Sequence, residues 1–144
     1  MKIAICGIGR IGRCLTRLII NRNNDYHLSH FFDIENDINN ICYLLNHDTT
    51  YGWLSEKFSC EKENILYKGT KIKYIESNDY TNTNWQELEF DILIDASGVN
   101  RDWIKIKKLC YEFSRIVIVT HHPKDFCGQF VVEGLKKLSF EVCL

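Results

Sequence analysis

A chain of 144 residues is long enough to bury the core of one domain, and we expect a single domain over residues 1–144. Its 18 basic and 19 acidic residues give a net charge of −1, which argues against the basic surface that binds nucleic acid or an anionic membrane. The apolar runs are too short to span a bilayer, and the first residues follow a strand pattern instead of a signal peptide, so we expect a cytoplasmic protein.

The first third of the chain alternates strand and helix patterns. The isoleucine-rich run 2–6, bounded by glycine, predicts a strand buried within a parallel sheet. Apolar residues at helical spacing then predict a helix that packs one face on the sheet: Ile11, Cys14, Leu15, Leu18 and Ile19. Residues 26–32 predict a second strand that ends at Asp33, and helical spacing returns at Ile38, Ile41, Cys42 and Leu45.

The remainder changes character and then returns to the same alternation. Segments 57–63, 64–68 and 70–75 predict antiparallel hairpins inserted beside the main sheet. Strand patterns at 91–95 and 115–120 flank a helical pattern at Trp103, Ile106, Cys110 and Phe113, and runs 130–132 and 139–143 each fit one more strand. The sequence therefore predicts an α/β fold with a doubly wound, mainly parallel sheet and an inserted antiparallel hairpin region.

A glycine motif, Gly7-Ile8-Gly9-Arg10-Ile11-Gly12, joins the first strand to the first helix. Gly7 permits a tight turn, Gly9 lets the backbone approach a pyrophosphate, and Gly12 lets the helix pack closely on the strand. The helix N-terminus offers unpaired amides and partial positive charge to phosphates. By itself the motif is also compatible with a glycine-rich turn that binds nothing.

Asp33 strengthens the nucleotide-binding interpretation. It follows Gly12 by 21 residues, at the end of the predicted second strand, where a carboxylate accepts hydrogen bonds from the hydroxyls of an adenosine ribose. A negative charge there repels the 2′-phosphate of NADP, so NAD is the predicted cofactor of a Rossmann domain. The alternative is that Asp33 is an exposed loop acid.

Several segments, in order along the chain, resemble the glyceraldehyde-3-phosphate dehydrogenase family. The opening MKIAICGIGRIGR is similar to the family's NGFGRIGR, and residues 44–52, LLNHDTTYG, to LLKYDSTHG. Residues 71–85, KIKYIESNDYTNTNW, resemble KIKVFNERDPANIPW. Residues 95–99, DASGV, resemble ESTGV, and residues 116–125, IVIVTHHPKD, resemble VIISAPSKD. The likeness covers roughly residues 1–132.

The resemblance implies cofactor contacts at several predicted strand ends. It places the backbone amides of Arg10 and Ile11 on the pyrophosphate and Asp33 on the ribose. It also places Asn78 near the adenine. Ser97 and Gly98 line the far side of the dinucleotide, and Thr120 lies close to the nicotinamide. The chain departs from the family pattern at Cys6, Phe32, Asn78 and His121-His122, where the family has asparagine, asparagine, arginine and Ala-Pro.

The resemblance also implies phosphorylating oxidation of an aldehyde in glycolysis, in which a cysteine thiolate adds to the carbonyl, hydride passes to NAD and phosphate releases the acyl group. The family's S-N-A-S-C-T-T-N-C segment is expected after Leu144, so the catalytic domain lies beyond residue 144 and this chain alone is predicted inactive. The aldehyde phosphate then binds through that missing domain, and the full-length protein is expected to be a homotetramer. Cys143, inside a strand pattern, is predicted to be a buried structural thiol.

The remaining cysteines and histidines predict no metal site. The seven cysteines include no C-x-x-C pair, which predicts reduced, mostly buried thiols. His121, His122 and Cys127 lie close in sequence, but adjacent histidines in a strand point to opposite faces and a fourth ligand is missing.

Two alternatives stay open for the function. One is a stand-alone dinucleotide-binding module that binds NAD without turnover. The other is a related aldehyde dehydrogenase, acting on erythrose 4-phosphate or a semialdehyde, which substrate profiling of the full-length protein distinguishes.

Overall fold

The computed structural model describes residues 1–22, 25–35, 37–99, 104 and 116–121. The helix predicted around Trp103–Phe113, apart from Ile104, and the strands predicted at 130–132 and 139–143 lie outside these residues. The elements are β1 (Lys2–Cys6), α1 (Arg10–Asn21), β2 (His27–Asp33), α2 (Ile38–Asn46), β3 (His47–Asp48), β4 (Gly52–Trp53), β5 (Ser59–Glu61), β6 (Asn64–Tyr67), β7 (Thr70–Glu76), two 3₁₀ turns (Tyr80–Asn82 and Trp85–Glu87), β8 (Ile92–Asp95) and β9 (Ile116–Val119).

Seven strands form one mainly parallel sheet in the order β5-β6-β7-β2-β1-β8-β9, and β3 pairs with β4 separately. This confirms the predicted α/β fold class. The predicted antiparallel hairpin region is present, and its strands β5 and β6 extend the edge of the main sheet through β7. β7 pairs in parallel with β2, with Phe31 opposite Tyr74. Alternate residues of β7, Ile72 and Tyr74, share the apolar core of the central strands, and this burial attaches the hairpin to the sheet.

Each face of the sheet has its own core. Ile5, Phe31 and Leu45 lie in the core on the face that carries α1 and α2. On the other face, the connection from β7 to β8 covers the strands with aromatic side chains, among them Tyr80 and Trp85. Full burial of side chains of this size contributes about 1.5–3 kcal/mol each. The central strands are thus buried on both sides, as the uninterrupted apolar run of β1 predicts.

The buried face of α1 only partly matches the predicted one, of which Leu15 and Ile19 pack against the core. Ile11 and Leu18 are each 54% exposed, whereas Gly12, Thr16 and Arg17 are buried. The buried face is rotated by roughly one residue, about 100°, from the apolar stripe. The Thr16 hydroxyl donates to the Gly12 carbonyl at 2.8 Å, so burying it leaves no unpaired polar group. The contact of Gly12 with Gly7, in the turn that follows β1, determines this rotation.

The expectation of reduced thiols was wrong for one pair. Cys42 on α2 and Cys60 on β5 form a disulfide, with their Cα atoms 6.7 Å apart. Cys6 is buried at the end of β1, and Cys14 is half-buried with its Sγ atom 3.4 Å from the Tyr51 hydroxyl. The disulfide fastens α2 to the hairpin edge of the sheet. In the described part of the chain, no helix combines the length and apolarity that crossing a membrane requires.

Candidate functional site

The strand order brings the predicted cofactor residues to one edge of the sheet. The connection from β1 leads to β2 on one side, while β8 and β9 lie on the other side of β1. This reversal of strand order is the position at which α/β sheets form a ligand crevice, outside the carboxyl ends of the strands. All ten predicted residues are described, and they follow or end five parallel strands at that edge or lie at the start of α1: Gly7, Gly9, Arg10, Ile11, Gly12, Asp33, Asn78, Ser97, Gly98 and Thr120.

The three glycines of the turn have different environments. Gly7 has a φ of 84°, and a Cβ added there would lie 2.5 Å from the Cα of Ser97, so the turn brings β1 and β8 into backbone contact. A Cβ at Gly12 would overlap the carbonyl oxygen of Gly7. At Gly9 the added atom would have nothing within 4 Å. Gly7 and Gly12 are therefore required by packing, whereas the space above Gly9 is open to a ligand.

The N-terminus of α1 adjoins that open space. Its first backbone hydrogen bond runs from the Arg13 amide to the Gly9 carbonyl at 3.0 Å, and the amides of Arg10, Ile11 and Gly12 donate to no described residue. Gly9 supplies no side-chain cap, and the first turn contains no acidic residue. Unpaired amides and the positive end of the helix dipole therefore face the crevice, which fits an anionic group such as a pyrophosphate.

The carboxylate of Asp33 lies at the crevice, and three backbone amides use part of its hydrogen-bonding capacity. Its Oδ2 accepts from the Ile8 amide at 2.5 Å, and its Oδ1 accepts from the amides of Ile34 and Glu35 at 2.8 and 3.2 Å. Since a carboxylate has about four acceptor positions, room remains for about one further hydrogen bond. Asp33 thus holds the glycine turn against the end of β2 and retains capacity for one ribose hydroxyl. The alternative of an exposed loop acid does not match its half-buried position as the last residue of β2.

A cavity of about 490 Å³ opens next to Asp33, at the ends of β2 and β7. It is lined by Ile34, Glu76, Ser77 and Asn78. Ile34 is 73% exposed, which provides an apolar surface on which a flat base can rest. The position of Asn78 in this cavity is consistent with its predicted place near the adenine. Sequence reasoning missed Ile34 and Glu76, because neither belongs to a recognisable motif.

On the other side of β1, Asp95 organises the loop after β8. Its fully buried carboxylate accepts from the Tyr80 hydroxyl at 2.8 Å and from the Ser97 hydroxyl and amide at 2.6 and 3.0 Å. The amide and hydroxyl of Thr120 donate to the Asp95 carbonyl at 3.0 and 3.1 Å. Asp95 therefore fixes Ser97 beside Gly7 and Thr120 at the end of β9. Its position at the end of a strand was the available sequence signal, but we predicted no role for it.

Arg13 is a further residue that the sequence analysis missed. Its Nη1 donates to the Ile8 carbonyl at 3.1 Å, and its Nε lies 3.5 Å from Oδ2 of Asp48. The amides of Tyr51 and Thr50, followed by Arg13, lower the pKa of Asp48 below its ordinary value. Arg13 thus ties the glycine turn to the segment that follows α2.

Among the described residues, no three or more histidine, cysteine or acidic side chains form a group that could hold a metal ion. His122, Cys127 and Cys143 lie outside the described part, so their predicted roles stay predictions. His121 is half-buried just beyond β9.

Comparison with known proteins gives a consistent family. The model of the family described as "Glyceraldehyde 3-phosphate dehydrogenase, NAD binding domain" matches residues 1–103. The glyceraldehyde-3-phosphate dehydrogenase of Chlamydia pneumoniae is 31% identical over 100 residues, 69% of this chain and 29% of that protein. Glyceraldehyde-3-phosphate dehydrogenase 1 of Saccharomyces cerevisiae is 31% identical over 134 residues, 92% of this chain and 39% of that protein. Glyceraldehyde-3-phosphate dehydrogenase 2 of Staphylococcus epidermidis is 28% identical over 141 residues, 98% of this chain and 41% of that protein.

Proposed function

Because this chain belongs to the glyceraldehyde 3-phosphate dehydrogenase family and matches its NAD-binding domain, we propose that it holds NAD in the crevice between α1 and the ends of β2, β1 and β8. The chain spans 29% to 41% of the length of the three relatives compared above. The activity of the whole protein is therefore part of this proposal.

The uncapped N-terminus of α1 beside the open space at Gly9 is the observation that carries the proposal. A pyrophosphate needs amide donors, a favourable dipole and unobstructed backbone, and all three occur together here. The remaining acceptor capacity of Asp33 suits a ribose hydroxyl. The residues present therefore fit a dinucleotide.

The proposed contacts follow the edge of the sheet. Arg10 and Ile11 bind the pyrophosphate through their backbone amides, and Asp33 binds the adenosine ribose. Ile34 and Asn78 border the adenine. On the far side of β1, two loops line the nicotinamide half: Ser97 with Gly98, and Thr120. When bound, NAD supplies a hydride acceptor, and these residues orient it.

The whole protein is proposed to oxidise a phosphorylated aldehyde with inorganic phosphate, as in glycolysis, in the cytoplasm and as a homotetramer. We propose that the catalytic cysteine and the aldehyde site come from sequence outside residues 1–144. These 144 residues alone are then expected to bind NAD without oxidising an aldehyde. A related substrate, such as erythrose 4-phosphate, is the alternative for the whole enzyme.

Calorimetric titration with NAD tests the binding proposal directly. We expect saturable one-to-one binding at micromolar to millimolar NAD, and no heat of binding at these concentrations would overturn the proposal. A parallel assay follows NADH formation with glyceraldehyde 3-phosphate and inorganic phosphate. Turnover by this chain would contradict the expected inactivity while leaving the NAD site intact.

A further inference from the structure

Glu76 lies beside Asp33 at the adenosine end of the proposed site. The two residues are direct partners in the parallel pairing of β7 with β2, whose strands lie about 4.8 Å apart. The Ser77 amide donates to the Asp33 carbonyl at 2.7 Å and fixes this register beyond the last residue of β7. Two acidic residues therefore share one position of the sheet edge, although they are distant in sequence.

The side chain of Glu76 is exposed and lines the cavity next to Asp33. It forms no hydrogen bond and no ion pair with any described residue. Glu35 differs, because its two carboxylate oxygens accept from the Asp37 amide at 3.1 Å and from Nδ2 of Asn40 at 2.9 Å, at the start of α2. Glu76 therefore lines this cavity with its carboxylate unrestrained by such hydrogen bonds, whereas Glu35 is held at the start of α2.

The carboxylates at this edge also act on the neighbouring side chain of Tyr74. Burial raises the pKa of Tyr74, and the charges of Asp33, Glu35 and Glu76 raise it further, in that order. Tyr74 lies on the core face of β7 with its hydroxyl 2.6 Å from the Glu35 carbonyl. The charges of Asp33, Glu35 and Glu76 therefore act on the same side chain, near the ends of β2 and β7.

We propose that Glu76 is a second specificity-determining residue of the cofactor site, which acts with Asp33 to exclude a ribose 2′-phosphate and so to restrict the site to NAD. This inference rests on the proposed NAD site. A phosphate monoester carries about −1.5 to −2 charges near pH 7. An anion held against Asp33 lies within about one Debye length of Glu76, so repulsion persists when the charge of Asp33 alone is removed.

The test measures the ratio of NADP to NAD dissociation constants by calorimetry for Asp33→Asn and for the double variant with Glu76→Gln. Glu89→Gln in the same Asp33→Asn background is the matched control, because it removes an equal charge beside Lys2, at the opposite edge of the sheet. We expect Glu76→Gln to shift the ratio toward NADP by roughly tenfold at low ionic strength. We expect the control to leave the ratio unchanged.

The salt dependence of the ratio distinguishes an electrostatic effect of Glu76 from a steric one. The shift produced by Glu76→Gln is expected to shrink severalfold in about 1 M salt, where the Debye length falls to about 3 Å. Should Asp33→Asn fail to fold, Glu76→Gln in the wild-type chain gives the same ratio through displacement of NAD by NADP. The role of Glu76 is overturned if Glu76→Gln changes the ratio of dissociation constants no more than Glu89→Gln does, or if the change is insensitive to salt. Either result leaves NAD binding by the wild type unaffected. Absence of NAD binding by the folded wild type overturns both proposals.

Discussion

Replacing Gly9 and Gly12 separately by alanine distinguishes the packing role of the turn from its binding role. At Gly12 the new methyl group would overlap the Gly7 carbonyl oxygen and lie 3.0 Å from its carbonyl carbon. Both atoms are backbone, so the helix or the turn has to shift. At Gly9 the methyl group would meet no protein atom within 4 Å. The two substitutions add the same group three residues apart and have opposite expected consequences.

The magnitude for Gly12→Ala follows from two opposing effects. Overpacking of a close contact costs about 1–3 kcal/mol, and a clash with backbone belongs at the upper end of that range. Alanine in place of glycine within a helix stabilises the folded state by about 1 kcal/mol. A net loss of about 2 kcal/mol lowers the Tm of a chain of this size by roughly 8 °C.

Gly9→Ala is expected to keep the wild-type Tm within about 2 °C and to weaken NAD binding at least about tenfold, because its methyl group enters the space where the backbone approaches the pyrophosphate. Thermal unfolding by circular dichroism without ligand and calorimetric titration with NAD measure the two effects. An unchanged Tm for Gly12→Ala would refute the packing argument. Wild-type affinity of Gly9→Ala for NAD would refute the assignment of the open space to the cofactor.

Three further predictions concern Asp33, the disulfide and Tyr74. Asp33→Ala is expected to weaken NAD binding by roughly 10- to 150-fold, since a charged hydrogen bond contributes about 1.5–3 kcal/mol, and a titration with no loss would remove Asp33 from the site. Cys42→Ser is expected to lower the Tm of the oxidised protein by roughly 10 °C, because the disulfide closes a loop across a sequence separation of 18 residues. Reductant should lower the wild-type Tm similarly and leave that of the variant unchanged; equal responses would contradict the pairing. Because the pKa of Tyr74 is raised above its ordinary 10.0, the unfolded chain loses this proton first as pH increases, and stability should fall above about pH 10. Urea unfolding of Tyr74→Phe should show a smaller alkaline loss than the wild type, and equal slopes would exclude this contribution.

The candidate site was largely accessible from the sequence because its signals are local. Gly7 follows β1 and Gly12 lies in the first turn of α1, at a fixed spacing, and each is required by a backbone contact. Asp33 was recognisable for the same reason, as an acid at the end of the second strand. Asp95 has a similar position, but its importance depends on Tyr80, which reaches it from the connection on the opposite face.

Sequence by itself determined the alternation of strands and helices, the glycine turn and the acid at the end of β2, because periodicity and backbone conformation are properties of neighbouring residues. Tertiary structure alone decided which face of α1 is buried, since the contact of Gly12 with Gly7 prevails over the apolar stripe that includes Ile11. It also decided the pairing of Asp33 with Glu76 and of Cys42 with Cys60. Those pairings join residues far apart in sequence, and they depend on the strand order and register of the folded sheet.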